Sequence, residues 1–377
     1  MRAQTLPLPV PPGPRAALTE LHGINAMTQT RNRIKLSVLD QTPVIHGHTA
    51  ADAIAATVEL AQAADELGYT RYWCAEHHGL RGVANPAPEV MIARLASVTK
   101  RLRVGSGGVM LPYYSPFKLA EQFLMLEALF PNRIDLGVGR APGGDMRTAR
   151  AVAKGPYDAG EHFPQQVAEL AGLFDGTLAD DHPYRGVLLQ PAIETRPELW
   201  VLGSSEFGGL LAAQLGLRYC FAHFINAHYG HRVTEAYRER FTPGQLDKPY
   251  CSVALFVICA DTDAEAEALE AGVDLRRVQM AYGMNEPIPS LEQGADAKPQ
   301  YRERELSVIA REKPRSIIGT PERVTARVLE LQEQFDADEI IVLTVAGSYR
   351  ARLRSHELLA QAFSLSATDP PVNATPD

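Results

Sequence analysis

LRVGSGGVMLPYYSPFKLAEQFLMLEALFPNRIDLGV, residues 102–138, is the stretch whose reading decides the fold. It opens on a run of β-branched and small residues. It then passes through a Leu/Ala/Glu segment with helical spacing over 116–130 and closes on a second short apolar run at 134–138. Strand, crossover helix and strand in that order form the unit from which parallel sheets are built. Working outward, similar strand-like runs occur at 34–39, 71–75, 199–203, 218–222, 251–259 and 339–345, which makes eight. Helical periodicity fills 49–67, 88–99, 161–174, 206–216, 228–241, 263–275 and 321–335. Thr49 precedes the Ala-rich run, Gly68 follows it, and Pro88 and Pro116 stand at first-turn positions, all of them helix punctuation. Eight strands with eight helices predict an α/β fold, a (β/α)8 TIM barrel with inserted loops on its catalytic face.

A chain of 377 residues suits one such barrel with insertions, here expected over residues 31–366. Hydrophobic residues make up 45% and charged residues 22%, enough apolar material for a large core. A net charge of −8 without a clustered Lys/Arg stripe argues against nucleic acid as a partner. No run nears the ~20 apolar residues of a bilayer span, so no membrane association is expected. Cys74, Cys220, Cys251 and Cys259 are scattered without CxxC spacing, which suits free thiols in a reducing cytoplasm. Residues 1–30, with Pro7, Pro9, Pro11, Pro12 and Pro14, lack a secretory apolar region and are expected to be a disordered extension, with Met27 an alternative start. The polar, Pro-rich 367–377 is expected to be a disordered tail. Two long connections, about 141–195 and 276–320, are candidate lids, or else plain surface excursions.

The strand ends carry the chemistry-bearing residues. The second strand runs into Glu76, His77, His78 and Gly79, which puts two imidazoles at a catalytic-face loop. They serve either as acid/base groups or as satisfied core histidines. Neighbours on an extended chain point to opposite faces, so the pair is not expected to grip one metal ion. Gly105, Ser106, Gly107 and Gly108 in the third strand suit close approach of a flat ligand to bare backbone, or a bulge that closes the barrel. The fourth strand ends in Gly139 and Arg140, followed by Gly143 and Gly144. This is no dinucleotide fingerprint, because Pro142 and Pro156 interrupt the helix and no acidic residue closes the next strand. Arg140 is a phosphate or flavin anchor, or a surface ion-pair partner. Ser204 and Ser205 precede the helix 206–216 and can meet a phosphate at its N-terminus, although ordinary capping also accounts for Ser205.

The stretches YWCAEHH (72–78), RVGSGGVMLP (103–112), YSPFKLAE (114–121) and RIDLGVGRAPGG (133–144), with LDQTP near residue 40, resemble the bacterial luciferase-like flavin monooxygenases over roughly residues 34–360. The resemblance implies a TIM barrel that binds FMN, whose reduced form reacts with O2 to give a C4a-(hydro)peroxyflavin that oxidises a carbonyl-type or other small organic substrate. It puts His77 at the family's active-site histidine, with His78 and Glu76 as orienting neighbours. Gly107 and Gly108 fall on the pair whose cis peptide lies against the isoalloxazine, and Arg140, Ser204 and Ser205 fall in the phosphate region. Gly139 stands where luciferase has a reactive cysteine, so light emission is not implied. Gly208 replaces a phosphate-loop threonine, which leaves more of that task to backbone donors.

No nicotinamide fingerprint is present, so a separate flavin reductase is the expected partner, and the resemblance suggests a homodimer. Two other readings keep the fold. One uses the deazaflavin F420 for hydride transfer, and the other is a non-catalytic flavin-binding subunit, which retention of both His77 and Arg140 disfavours.

Overall fold

The computed structural model describes residues 34–140, 145–153 and 160–367. The expected extension 1–30, the glycines Gly143 and Gly144, and the tail beyond 367 lie outside the described residues. From Lys35 onward the chain runs β1 (Lys35–Asp40), α1 (Ala50–Leu67), β2 (Arg71–Cys74), α2 (Pro88–Val98), β3 (Arg103–Met110), α3 (Pro116–Leu129) and β4 (Ile134–Gly139). It continues through α4 (Met146–Val152), α5 (Phe163–Asp175), β5 (Glu198–Gly203), α6 (Glu206–Gln214), β6 (Arg218–Ala222), α7 (Gly230–Glu239) and β7 (Cys251–Cys259). The last third holds α8 (Asp263–Ala281), α9 (Leu291–Ala297), α10 (Glu303–Glu312), β8 (Ser316–Gly319), α11 (Pro321–Gln334), β9 (Glu339–Leu343) and α12 (Tyr349–Ala362).

Every ladder is parallel, and β1 to β7 pair in sequence. β9 then joins β7 to β1 and closes an eight-stranded barrel. The eight barrel strands are the eight runs expected from the sequence. The helix signals hold as well: Thr49 and Asp52 form a capping box on α1, Gly68 ends it at φ 89°, and prolines open α2 and α3.

Three expectations need correction. A ninth strand, β8, pairs with the distal half of β7 outside the ring, from Phe256↔Ser316 to Cys259↔Gly319. The helix at 321–335 precedes β9, and the helix that follows the last barrel strand is α12, absent from the eight proposed. The 141–195 connection divides in function: α4 lies on the catalytic-face side of α5, whereas 176–197 leads into β5 and so belongs to the opposite end of the barrel.

Alternate residues of each strand point inward, and they sort by depth. Near the strand starts the lumen is charged. The Asp135 carboxylate, fully buried, accepts from Arg71 Nη1 at 2.7 Å, Arg103 Nε at 2.8 Å and Trp73 Nε1 at 2.9 Å. Arg71 also donates from Nε to Glu339 at 2.8 Å, and Glu339 accepts from the Tyr250 hydroxyl at 3.0 Å. Gly105 of β3 makes room for this, because a Cβ there would lie 2.3 Å from the Asp135 carbonyl oxygen. Above the charges, Trp73 and Trp200 meet edge to face at 5.0 Å, and Leu39, Ala75, Cys220, Ala254, Ile341 and Leu343 complete an apolar layer. Among the described residues no helix is long and apolar enough to cross a membrane, and all four cysteines are free and buried.

Removing one member of a buried ion network leaves its partners' charges uncompensated, which costs about 3–5 kcal/mol. Asp135→Ala should therefore lower unfolding free energy by that amount in a denaturant titration. A loss below about 1 kcal/mol, the range of exposed pairs, would show that the network does not hold the barrel base.

Candidate functional site

The C-terminal strand ends bring the predicted residues onto one face of the barrel. β2 stops at Cys74, and Ala75 N donates to Asp40 O at 2.9 Å. Glu76 follows with no exposed surface. Its Oε1 accepts from His78 Nε2 at 2.7 Å and the Tyr114 hydroxyl at 3.1 Å, and its Oε2 accepts from Met110 N at 2.8 Å. Burial pushes the Glu76 carboxyl above its ordinary range, against the pull of those donors. His77 N donates to Asn85 O at 3.0 Å, and Asn85 Nδ2 donates to Ala75 O at 3.1 Å, so a short ribbon braces the turn. The His77 Nδ1 atom is buried and has no hydrogen-bond partner among the described residues. Burial, with His78 adding to it, lowers His77 to about 4, so its ring is neutral near pH 7.

In β3 the Gly107–Gly108 peptide is cis. The ladder with β4 slips there, with Gly107 opposite Gly137 and Val109 opposite Val138, so Gly108 is an extra residue. The bulge, one of the two alternatives read from sequence, is present. A Cβ on Gly107 would sit 2.7 Å from Leu39 Cδ1, and one on Gly108 would sit 2.6 Å from the Gly137 carbonyl oxygen. At the end of β4, by contrast, a Cβ on Gly139 would meet no atom within 4 Å.

Arg140 and the Ser204–Ser205 turn are drawn together by a residue that the sequence reading passed over. The Arg140 guanidinium lies over the ring of Phe207, 4.6 Å from its centroid, in the first turn of α6. Ser205 occupies the N-cap position, but its side chain makes no capping bond. Ordinary capping therefore does not account for this serine, and its hydroxyl and the first-turn N–H groups form a donor cluster beside a guanidinium. Asn226 Nδ2 bonds Ser204 O at 3.1 Å and the Tyr219 hydroxyl bonds Ser205 O at 3.3 Å, which fixes the turn.

Parts of both long connections cover the histidine turn. A Cβ on Gly79 would fall 2.6 Å from Thr148 Oγ1 of α4. Asn285 receives Arg81 N on Oδ1 and donates from Nδ2 to Gly79 O, both at 2.8 Å. Ile288 bridges Ile45, with His46 N on Ile288 O and Ile288 N on Val44 O, both 2.8 Å. The second connection is thus anchored by main-chain bonds to the loop after β1 and by the Asn285 side chain to the loop after β2. Tyr114 lay within a quoted motif without a role, whereas Thr148 and Asn285 are too far along the chain for local pattern to reveal them.

Comparison with known proteins agrees with this geometry. The luciferase-like monooxygenase family model matches residues 34–338. A luciferase-like monooxygenase of Escherichia coli (strain K12) is 38% identical, over 87% of this chain and 97% of its own. The N-acetyl-S-alkylcysteine monooxygenase of Bacillus subtilis (strain 168) is 34% identical, over 87% and 98%. The crystal structure of apo-MsnO8 superposes with a TM-score of 0.83 at 37% identity, over 88% of this chain and 99% of that one. The FMN complex of the oxygenating constituent of 3,6-diketocamphane monooxygenase from Pseudomonas putida reaches 0.64 at 19%, over 87% and 97%, a likeness of fold. A closed parallel barrel, a family model that matches most of the chain and relatives above 30% identity lead to one conclusion: the chain belongs to the luciferase-like monooxygenase family.

Proposed function

We propose that this protein is a monooxygenase that uses reduced FMN, delivered by a separate reductase, and O2 to oxidise a small carbonyl-type organic substrate. The observation that carries the reading is the pairing of two features on adjacent strands. One is bare backbone at Gly107–Gly108, and the other is a cationic donor cluster at Arg140, Ser204 and Ser205. A flat ring with a phosphate at one end fits that combination. Bound reduced flavin would supply the electrons for oxygen activation. In support, FMN is the ligand of the diketocamphane enzyme's oxygenating constituent.

Arg140, whose guanidinium lies over Phe207, would bring a permanent positive charge to phosphate oxygens, and Ser204 and Ser205 would add hydroxyl and backbone donors. The neutral His77 ring, with buried Nδ1 lacking a partner among the described residues, is suited to hold a hydrogen bond to the reacting oxygen or to take its proton. His78, fixed by Glu76, keeps the turn in register. Partly buried Leu202, Phe224, Phe256 and Val345 provide an apolar wall, and the covers at Thr148 and Asn285 reduce access of water. Two copies associate through α2 and α3, where Val90, Met125 and Leu129 are exposed.

The decisive experiment supplies reduced FMN or reduced F420 with a panel of ketones, aldehydes and thioethers. Substrate-stimulated oxygen uptake with FMN is the expected result, and oxygen-independent turnover with F420 alone would overturn the reading. His77→Asn should reduce kcat at least tenfold with FMN affinity within threefold of the parent. Because burial keeps His77 neutral above about pH 4, its own ionisation should leave the kcat profile flat between pH 5.5 and 8, with loss on further acidification. Arg140→Ala should weaken FMN at least tenfold and leave riboflavin unchanged, read by flavin fluorescence quenching. Sedimentation should return the mass of two copies, and Met125→Glu the mass of one.

A further inference from the structure

The ladder between β2 and β3 ends at Cys74↔Ser106, yet β3 continues for four more residues, through the cis diglycine to Met110. Beyond Ser106, β2 therefore offers no ladder partner on that side. Glu76 takes over: its N–H reaches the Gly108 carbonyl at 3.4 Å and its Oε2 receives Met110 N–H at 2.8 Å. The same carboxylate binds His78 Nε2 and the Tyr114 hydroxyl through Oε1. One fully buried residue thus joins these parts, its main chain at Gly108 and its carboxylate at Met110, the histidine turn and the loop after β3. Among the described residues the ion pair of Glu76 is with His78, and a carboxylate sealed without a fixed cation is a costly group. Its contacts are more specific than packing requires, because an apolar residue would fill the space yet leave the Met110 N–H unsatisfied.

We infer that Glu76 is the positioning residue of this site, a side-chain substitute for missing strand that sets the Gly107–Gly108 backbone and the His78 ring relative to each other. The inference rests on the flavin reading above and assigns that site's internal alignment to one group. The two functions of the carboxylate separate on substitution. Gln at this position keeps an acceptor for Met110 N–H, so the backbone stays in place. Its amide can reach His78 Nε2 only as a donor, which requires the other imidazole tautomer and disturbs the His78 contact. Ala removes both.

The test measures FMN affinity by fluorescence quenching, the visible spectrum of bound flavin, and steady-state kcat and KM, on the full chain. Glu76→Gln should bind FMN within threefold of the parent, with an unchanged bound-flavin spectrum, while kcat falls at least tenfold and KM stays within threefold. Glu76→Ala should lose FMN affinity at least tenfold and shift the spectrum. If Glu76→Ala does not fold, the Glu76→Gln split alone decides. Parental kcat in Glu76→Gln, or parental FMN affinity in a folded Glu76→Ala, overturns the inference. Failure of the parent itself to bind FMN would instead overturn the flavin reading.

Discussion

The barrel depends on how Asp135 is satisfied. A carboxylate sealed among aromatic and aliphatic side chains is tolerable only when its lone pairs are filled by strong donors, and Arg71, Arg103 and Trp73 come from the two strands preceding it. Each donor constrains the register of its strand, since a slip by one residue would turn it to the other face. Glu339 extends the network to the closing strand through Arg71, so strands on both sides of β1 are tied by the same guanidinium. With charge at the base and tryptophans above it, the lumen is filled, and the only face left for chemistry is the one where the strands end.

On that face, strand length controls what is presented. β2 is short and β3 is long, so the end of β3 stands beyond its neighbour with main-chain groups to satisfy. Glu76, in the turn after β2, supplies partners through its main-chain N–H and its carboxylate. Next to it β4 ends at Gly139, where a Cβ would meet no atom of the described residues, β5 runs on to Gly203, and Arg140 leans on Phe207 toward the start of α6. Strands of different length thus set the backbone of the face on which the proposed site lies.

The barrel was readable from sequence because its strands are β-branched and its helices carry regular apolar stripes, which is information at short range. What escaped has physical reasons. The first turns of α12 bury polar groups: Arg352 pairs with Asp40, Ser355 receives Cys259 N, and His356 meets Tyr69, which interrupts the apolar stripe that Leu358 and Leu359 begin. β8 is four residues long and mostly half-buried. At the site, strand-end motifs marked His77, the diglycine, Arg140 and the serines, since each lies within a residue or two of a strand. The Phe207 contact, the Asn285 clasp and the fit of Thr148 against Gly79 join distant segments, and only the fold brings such pairs together.

β7 has two neighbours on one flank. Its first half runs beside β9 and its second half beside β8, with the Thr344 hydroxyl reaching the Val257 carbonyl at 2.8 Å across the parting. The cylinder is therefore split at its rim while remaining sealed below, and the segment between α8 and α11 enters at that split. Such a seam separates two evolutionary tasks. The ladder can stay fixed while the material inserted at the parting is exchanged, so relatives with the same cylinder can diverge in what they admit without renegotiating how they close.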